Sequence, residues 1–217
     1  TTSQTMAADV AALLRARNPL IWISTREEAR AEQYIMQAAA AAGYVPRCWD
    51  VGQGVTDLSS NVLPWGSADP GDALNTIRTR AKAGAQADRG VWIMRDLPPW
   101  LVGLTGLTTC RQLRNLARLL PRIPRDNAQA VIVLSPSGDV PAELSGHATV
   151  LEWPMPDRDE IAAILDAAIG SLPDEMQEGA APNGTRDAAI DAAVGLSGEE
   201  AAACYARSLV QLRRIDP

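Results

Sequence analysis

The chain has 217 residues, 47% of them apolar and 21% charged, a balance that suits one α/β domain with a small appendage. Cys48, Cys110 and Cys204 are scattered with no C-x-x-C pair, which excludes a disulfide scaffold and points to a reducing cytoplasm and buried, inert thiols. No apolar run approaches the ~20 residues of a membrane span, and the alanine-rich Met6 to Leu14 lacks the pattern of a secretory leader. The net charge of −6 hides a polarity. Residues 1 to 126 carry 15 basic and 11 acidic groups, whereas 127 to 217 carry 5 and 15.

In chain order, Ala7 to Ala16 reads as a lead-in helix with Val10, Leu13 and Leu14 on one face. Leu20 to Ile23, opened by Pro19, is a continuous apolar run with β-branched and aromatic members, the pattern of a parallel strand covered on both faces. A helix from Arg26 to Ala42 must follow at once, with Thr25 as N-cap and Glu28 completing a capping box. Val45 to Val51 is a second strand. Gly52-Gln53-Gly54 ends it and opens a long irregular loop through Trp65 and Gly66. Asp69 caps the next helix with Pro70 at its first position, and that helix runs through Leu74, Ile77 and Ala81 to near Gly84.

Gly90 to Arg95 is the third strand. Pro98 and Pro99 then force an irregular turn. A helix from about Thr108 to Leu120 follows, stopped by Pro121 and Pro124. Ala130 to Ser135 is a fourth strand, again apolar throughout, and Thr149 to Trp153 a fifth. Asp157 caps a helix running to Ala168. Gly170 to Arg186 is rich in Gly, Pro and acids and reads as a linker. Short helical patterns follow at Asp187 to Val194 and Glu199 to Leu212. Strands alternating with helices predict a doubly wound, five-stranded parallel sheet over residues 1–169, a linker or flexible loop over 170–186 and a small helical lid over 187–217.

The first strand runs into its helix where α/β proteins place a phosphate loop. Such a loop needs G-x-x-x-x-G-K-[ST], whose amides and lysine hold phosphates while the hydroxyl holds magnesium. Ser24-Thr25-Arg26-Glu27-Glu28 offers no glycine and puts two carboxylates there instead. Lys82, the only lysine, falls inside a helix. The third strand has the four apolar residues of a magnesium-binding acidic strand end, but closes on Arg95-Asp96, and an arginine there displaces the metal. The plain alternative is a buried strand ending in a turn aspartate.

Gly52-x-Gly54 lacks the third glycine of a dinucleotide fingerprint and reads as a turn. His147, the only histidine, has neither a G-x-S-x-G elbow nor a metal set beside it. Asn183-Gly184-Thr185 is a sequon that reads as a turn. Arg111, Arg114 and Arg118 form a basic stripe opposite Leu113, Leu116 and Leu120, and Arg122 extends it. A solvated helix face is the plain reading and a protein contact the next. The acidic overall charge and the lack of interleaved aromatics disfavour nucleic acid.

The order of these pieces resembles the N-terminal module of the two-module AAA ATPases first noted as a conserved chloroplast and cyanobacterial reading frame. The resemblance lies in Arg15-Ala-Arg-Asn-Pro-Leu-Ile-Trp-Ile with Thr25-Arg-Glu-Glu-Ala, then Trp49-Asp-Val and Arg95-Asp96-Leu97. It continues in Val131-Ile-Val-Leu-Ser-Pro, Pro154-Met-Pro-Asp-Arg-Asp-Glu-Ile and Gly195-Leu-Ser-Gly-Glu-Glu-Ala. It implies an AAA core whose phosphate loop is lost, with strand order 5-1-4-3-2, Asp96 at the acidic-strand position, Ser135 at the polar sensor position and Leu196 to Leu212 as the lid. It makes Ser24, Thr25, Arg26, Asp96 and Ser135 the positions of a degenerate nucleotide site. No cofactor is expected for this chain; the resemblance implies ATP and magnesium only for the parent protein, since in that family a second module with an intact phosphate loop normally follows.

The function expected is therefore a non-hydrolysing module for assembly or regulation of an AAA ATPase. The alternatives are an active or nucleotide-binding ATPase domain using a non-standard pocket near Thr25, Asp96 and Ser135, or nucleic-acid binding through the stripe. The expected partner is a second copy or a following ATPase module, with no membrane contact. Arg111, Arg114, Arg118 and Arg122 would meet Asp157, Asp159 and Glu160, or Glu199 and Glu200, of a neighbour.

Overall fold

A computed structural model describes residues 2–84, 88–181 and 184–217. Six strands make one sheet: β1 (Leu20–Ser24), β2 (Val45–Asp50), β3 (Gly54–Thr56), β4 (Gly90–Arg95), β5 (Gln129–Ser135) and β6 (Thr149–Glu152). Their order is β3-β2-β4-β5-β1-β6. All neighbours are parallel except β2 and β3. The five expected strands thus stand in the expected order, with the two most apolar runs inside: β1 between β5 and β6, β5 between β4 and β1. In β1, Trp22 sits opposite Val133 on one side and Val150 on the other.

Side chains alternate across the sheet. One face presents Leu20, Trp22, Trp49, Trp92, Met94, Val131 and Val133 to α3 (Pro70–Lys82) and α4 (Gly103–Leu119), which contribute Leu74, Ile77, Leu113 and Leu116. The other presents Ile21, Ile23, Cys48, Ile93, Ile132 and Leu134 to α1 (Ser3–Arg15) and α2 (Glu28–Ala41), through Val10, Leu14, Ala31 and Ile35. The sequence has no Phe, and Trp22, Trp49 and Trp92 fill its place as fully buried rings. Their indole N–H groups donate to Ser137 O (3.2 Å), Ser67 O (2.9 Å) and Gln129 Oε1 (2.9 Å), as buried tryptophans require. No helix among the described residues is long and apolar enough to cross a membrane.

Several sequence expectations are corrected. The loop after β2 begins with a hairpin, because the Asp50 carboxylate accepts from Gly52 N and Gln53 N and Gly54 (φ +78°) turns the chain back as β3. Lys82 is the last residue of α3 rather than mid-helix. α4 starts at Gly103, five residues before the expected Thr108. Cys48 and Cys110 are buried, but Cys204 is exposed. His147 lies in a turn, its N–H donating to Leu144 O. Asp69 caps α3 as expected, accepting from Asp72 N at 2.9 Å.

The chain divides into two compact units, one of them Gln4–Trp153. The other consists mainly of Pro154–Pro217, so the helix capped by Asp157 groups with the helices after it rather than with the sheet. It contains α5 (Arg158–Gly170), α6 (Asp174–Ala180), α7 (Thr185–Ala193) and α8 (Gly198–Leu212). Ile161, Leu165, Ile190, Tyr205 and Leu209 form its core. The segment read as a linker thus contains α6, whose Ala180 is fully buried. Asn183 of the sequon lies outside the described residues. Capping boxes start two of these helices, Asp157 with Glu160 and Ser197 with Glu200.

Candidate functional site

Doubly wound sheets present their ligand sites beyond the carboxyl ends of the strands. Past Ser24 the sheet keeps hold of one more residue, as Thr25 N donates to Ser135 O at 2.9 Å. Only Arg26 and Glu27 then remain before α2. The Thr25 hydroxyl oxygen accepts from Glu27 N at 3.0 Å, which tightens the turn, and Glu27 occupies the N-cap position without a side-chain cap. Thr25 is therefore not the N-cap, because the ladder holds it too far from the helix. Glu27 is 5% exposed and its carboxylate pairs with Arg30 at 2.5 Å. The helix end that attracts anions already carries one.

Arg95 closes β4 beside this turn. Its guanidinium binds Glu32 through two parallel bonds of 2.7 and 2.6 Å, reaches Asp50 at 3.1 Å, and lies 3.8 Å from Glu28. The fork geometry makes Glu32 the strong partner, and the Arg95 pKa is raised, first by that hydrogen bond. Burial raises the Glu28 carboxyl above 4.5, with Arg95 pulling the other way. Burial, and next the Glu32 charge, push the Cys48 thiol up to about 12, which makes it inert at neutral pH.

Three expected positions meet in one cavity. Arg26, Asp96 and Ser135 line a space of about 630 Å³ together with Ser137, Asp139 and a proline-rich wall. Asp96 is exposed, with a left-handed backbone (φ +50°), and its N–H donates to Leu134 O at 3.0 Å. Ser135 is buried, its oxygen accepting from Ser137 N at 3.2 Å. Ser24 and Thr25 do not line this space; the Ser24 hydroxyl donates to Pro136 O at 3.4 Å. Asp139 was missed by sequence reasoning, although the turn Pro136-Ser137-Gly138-Asp139 marks a strand-end loop. The chain's residues do not fit magnesium-bound triphosphate. The β1–α2 connection holds neither glycine nor lysine, its buried carboxylate is Glu27, and Arg95 is held by carboxylates. No group of three acidic, histidine or cysteine ligands occurs among the described residues.

The arginine stripe lies on α4. Arg111 and Arg118 are exposed and Arg114 is half-buried, while Cys110, Leu113, Leu116 and Ala117 are buried on the opposite face. Arg122 follows on a single 3-10 turn. Among the described residues none of the four forms an ion pair. Of the acidic residues expected to meet them, Asp157, Glu160 and Glu200 serve in the capping boxes, and Asp159 and Glu199 stand outside those caps.

Residues 6–153 match the family described as "SpoVK-like AAA ATPase, N-terminal domain". "Uncharacterized AAA domain-containing protein ycf46" of Trieres chinensis is 30% identical over 162 residues, covering 74% of this chain and 30% of that protein. The protein of the same name in Guillardia theta is 26% identical over 212 residues, covering 96% of this chain and 38% of that protein. In Pyropia yezoensis it is 27% identical over 154 residues, or 70% and 29%. The chain spans about a third of the length of these relatives. The match to the whole sheet-bearing unit, on a parallel sheet in this strand order, means that the chain belongs to the SpoVK-like AAA ATPase N-terminal domain family.

Proposed function

We propose that this module does not hydrolyse ATP and serves the assembly or regulation of an AAA ATPase. The observation that carries the reading is the short β1–α2 connection with buried Glu27 at the start of the helix. A phosphate brought to about 4 Å from that carboxylate meets a repulsion of about 4 kcal/mol at an effective dielectric of 20, before the opposing charge of Arg30, paired with Glu27 at 2.5 Å, is counted. No glycine amides or lysine compensate. The acidic-strand position next to Asp96 is spent on Arg95, which holds three carboxylates in place rather than a metal. The assembly role is supported by the α4 arginines, which form no ion pair among the described residues. A charged face of this kind steers contact with a partner of opposite charge and fixes its register. The parent's ATP and magnesium belong, on this reading, to a separate ATPase module, and the setting is a reducing cytoplasm that keeps unpaired thiols reduced.

A second reading, nucleotide binding without hydrolysis, is favoured by the cavity beside Arg26, Asp96 and Ser135. Calorimetric titration of the chain with magnesium-ATP separates the two. The first reading expects no saturable binding up to about 1 mM, a threshold equivalent to about −4 kcal/mol. Tighter binding that Arg26→Ala abolishes establishes the second.

A further inference from the structure

The helix found to begin at Gly103 changes the meaning of the arginine stripe. Leu104, Leu107, Arg111, Arg114 and Arg118 recur at spacings of 3, 4, 3 and 4, so they form one line along α4. The line is two-toned. Leu104 is 89% exposed and Leu107 62%, and the three arginines continue from them. Beside it lies a groove of about 540 Å³ lined by Leu101, Leu107, Cys110, Arg111, Arg114 and Glu143, among others. Val102 and Trp100, also exposed, extend the apolar end. Among the described residues, Arg114 Nε is buried without a hydrogen-bond partner. Solvation explains exposed arginines, but it does not explain two leucines in water in line with them.

We propose that this face of α4 docks a helix of a partner protein whose facing stripe carries bulky apolar residues at one end and carboxylates at the other. Leu104 and Leu107 would meet the apolar end, and Arg111, Arg114 and Arg118 the acidic one. Between residues 104 and 118 the stripe is about 21 Å long, which asks for about four turns of partner helix. Glu143 on the wall of the groove repels a carboxylate set there and so confines the acids to the α4 side. A second copy of this chain is a poor occupant. The two acids that α7 could offer, Asp187 and Asp191, are already paired with Arg158 at 3.2 and 2.9 Å, and the exposed line Glu199, Ala203, Ala206 and Val210 on α8 carries a single carboxylate for three arginines. The proposal deepens the assembly reading and rests on it, but not on the absence of hydrolysis.

The test uses the whole chain and a labelled synthetic helix of about 21 residues, with leucines and glutamates on one 3–4 stripe, made in both end-to-end orders. Fluorescence anisotropy is expected to show a Kd of about 1–100 μM for one order, weakening as salt rises from about 0.05 to 0.5 M. The pair Arg111→Glu with Arg114→Glu, and separately Leu104→Ser with Leu107→Ser, should each weaken binding about tenfold or more. Unchanged circular dichroism and melting temperature confirm the fold of these surface variants. A peptide with lysines in place of glutamates should not bind. No binding in either order, equal binding of the lysine peptide, or indifference to both variant pairs overturns the proposal. So does a dimer of the chain in sedimentation that the leucine variant dissolves, which assigns the face to a second copy. Failure here with ATP hydrolysis still at background leaves the non-hydrolysing reading standing.

Discussion

Replacing Arg95 by Ala should destabilise the sheet-bearing unit, and do so more at neutral than at acid pH. The variant leaves Glu32 and Asp50, 13% and 26% exposed, facing Glu28 without their shared cation. Breaking a buried ion pair from one side costs about 3–5 kcal/mol. Partial exposure here screens the charges, so about 2–3 kcal/mol is the working figure. For a chain of this size that lowers the melting temperature by about 5–10 °C at pH 7. The pH dependence follows from Glu28, whose carboxyl burial already raises and Arg95 restrains. Without Arg95 it rises further. A carboxyl raised in the folded state favours folding below its unfolded value and loses that contribution as pH climbs through the folded one. The gap between wild type and variant should therefore narrow as pH falls from about 7 toward 4.5. Arg95→Lys should recover only part of the loss, since lysine cannot reproduce the two-pronged bond to Glu32. Thermal melts followed by circular dichroism across that range are the assay. A shift of less than about 2 °C at pH 7, or a loss that does not vary with pH, refutes the reasoning.

Three further outcomes are expected. Burial raises the Asp88 carboxyl, but the hydrogen bonds and charges of Arg47 and Arg80 outweigh it and hold it below 3.8, so its contribution is present above that value and lost as pH falls through the folded one; Asp88→Asn should cost about 1 kcal/mol at pH 7 in a urea titration and flatten the acid limb. Gly106→Ala places a Cβ 2.6 Å from the Leu101 backbone carbon, so the start of α4 must shift, and denaturant unfolding should register a loss of about 1–3 kcal/mol. In thiol titration of the native chain at pH 8, Cys204 should react promptly while buried Cys48, pushed up to about 12, stays silent until the protein unfolds.

The elements that were legible in the sequence are those whose cause is local. β1 and β5 announce themselves because a strand covered on both faces has no polar positions to interrupt its apolar run. Asp69-Pro70 and Asp157 mark helix starts because a cap and a first-turn proline act within a few residues. β3 escaped because three residues opened by a glycine carry no periodicity. The first turns of α4 escaped because Gly103-Leu104-Thr105-Gly106-Leu107-Thr108 has weak helix propensity; packing makes it a helix, Gly106 lying tight against the Leu101 backbone. That omission hid Leu104 and Leu107 from the arginine stripe. At the site, the lack of glycine and lysine in the β1–α2 connection was legible directly from the residue types. The fate of Arg95 was not, because Glu32 and Asp50 lie 63 and 45 residues away in the chain. Only the parallel pairing of β2 with β4, and α2 packed over the sheet, bring them together.

The non-hydrolysing assignment is tested most directly by steady-state phosphate release from magnesium-ATP by the purified chain, measured beside Asp96→Ala. The account predicts that both proteins release phosphate at the buffer rate. Turnover by the wild-type chain that Asp96→Ala abolishes would contradict it, and would mean that the cavity at Arg26, Asp96 and Ser135 is an active site.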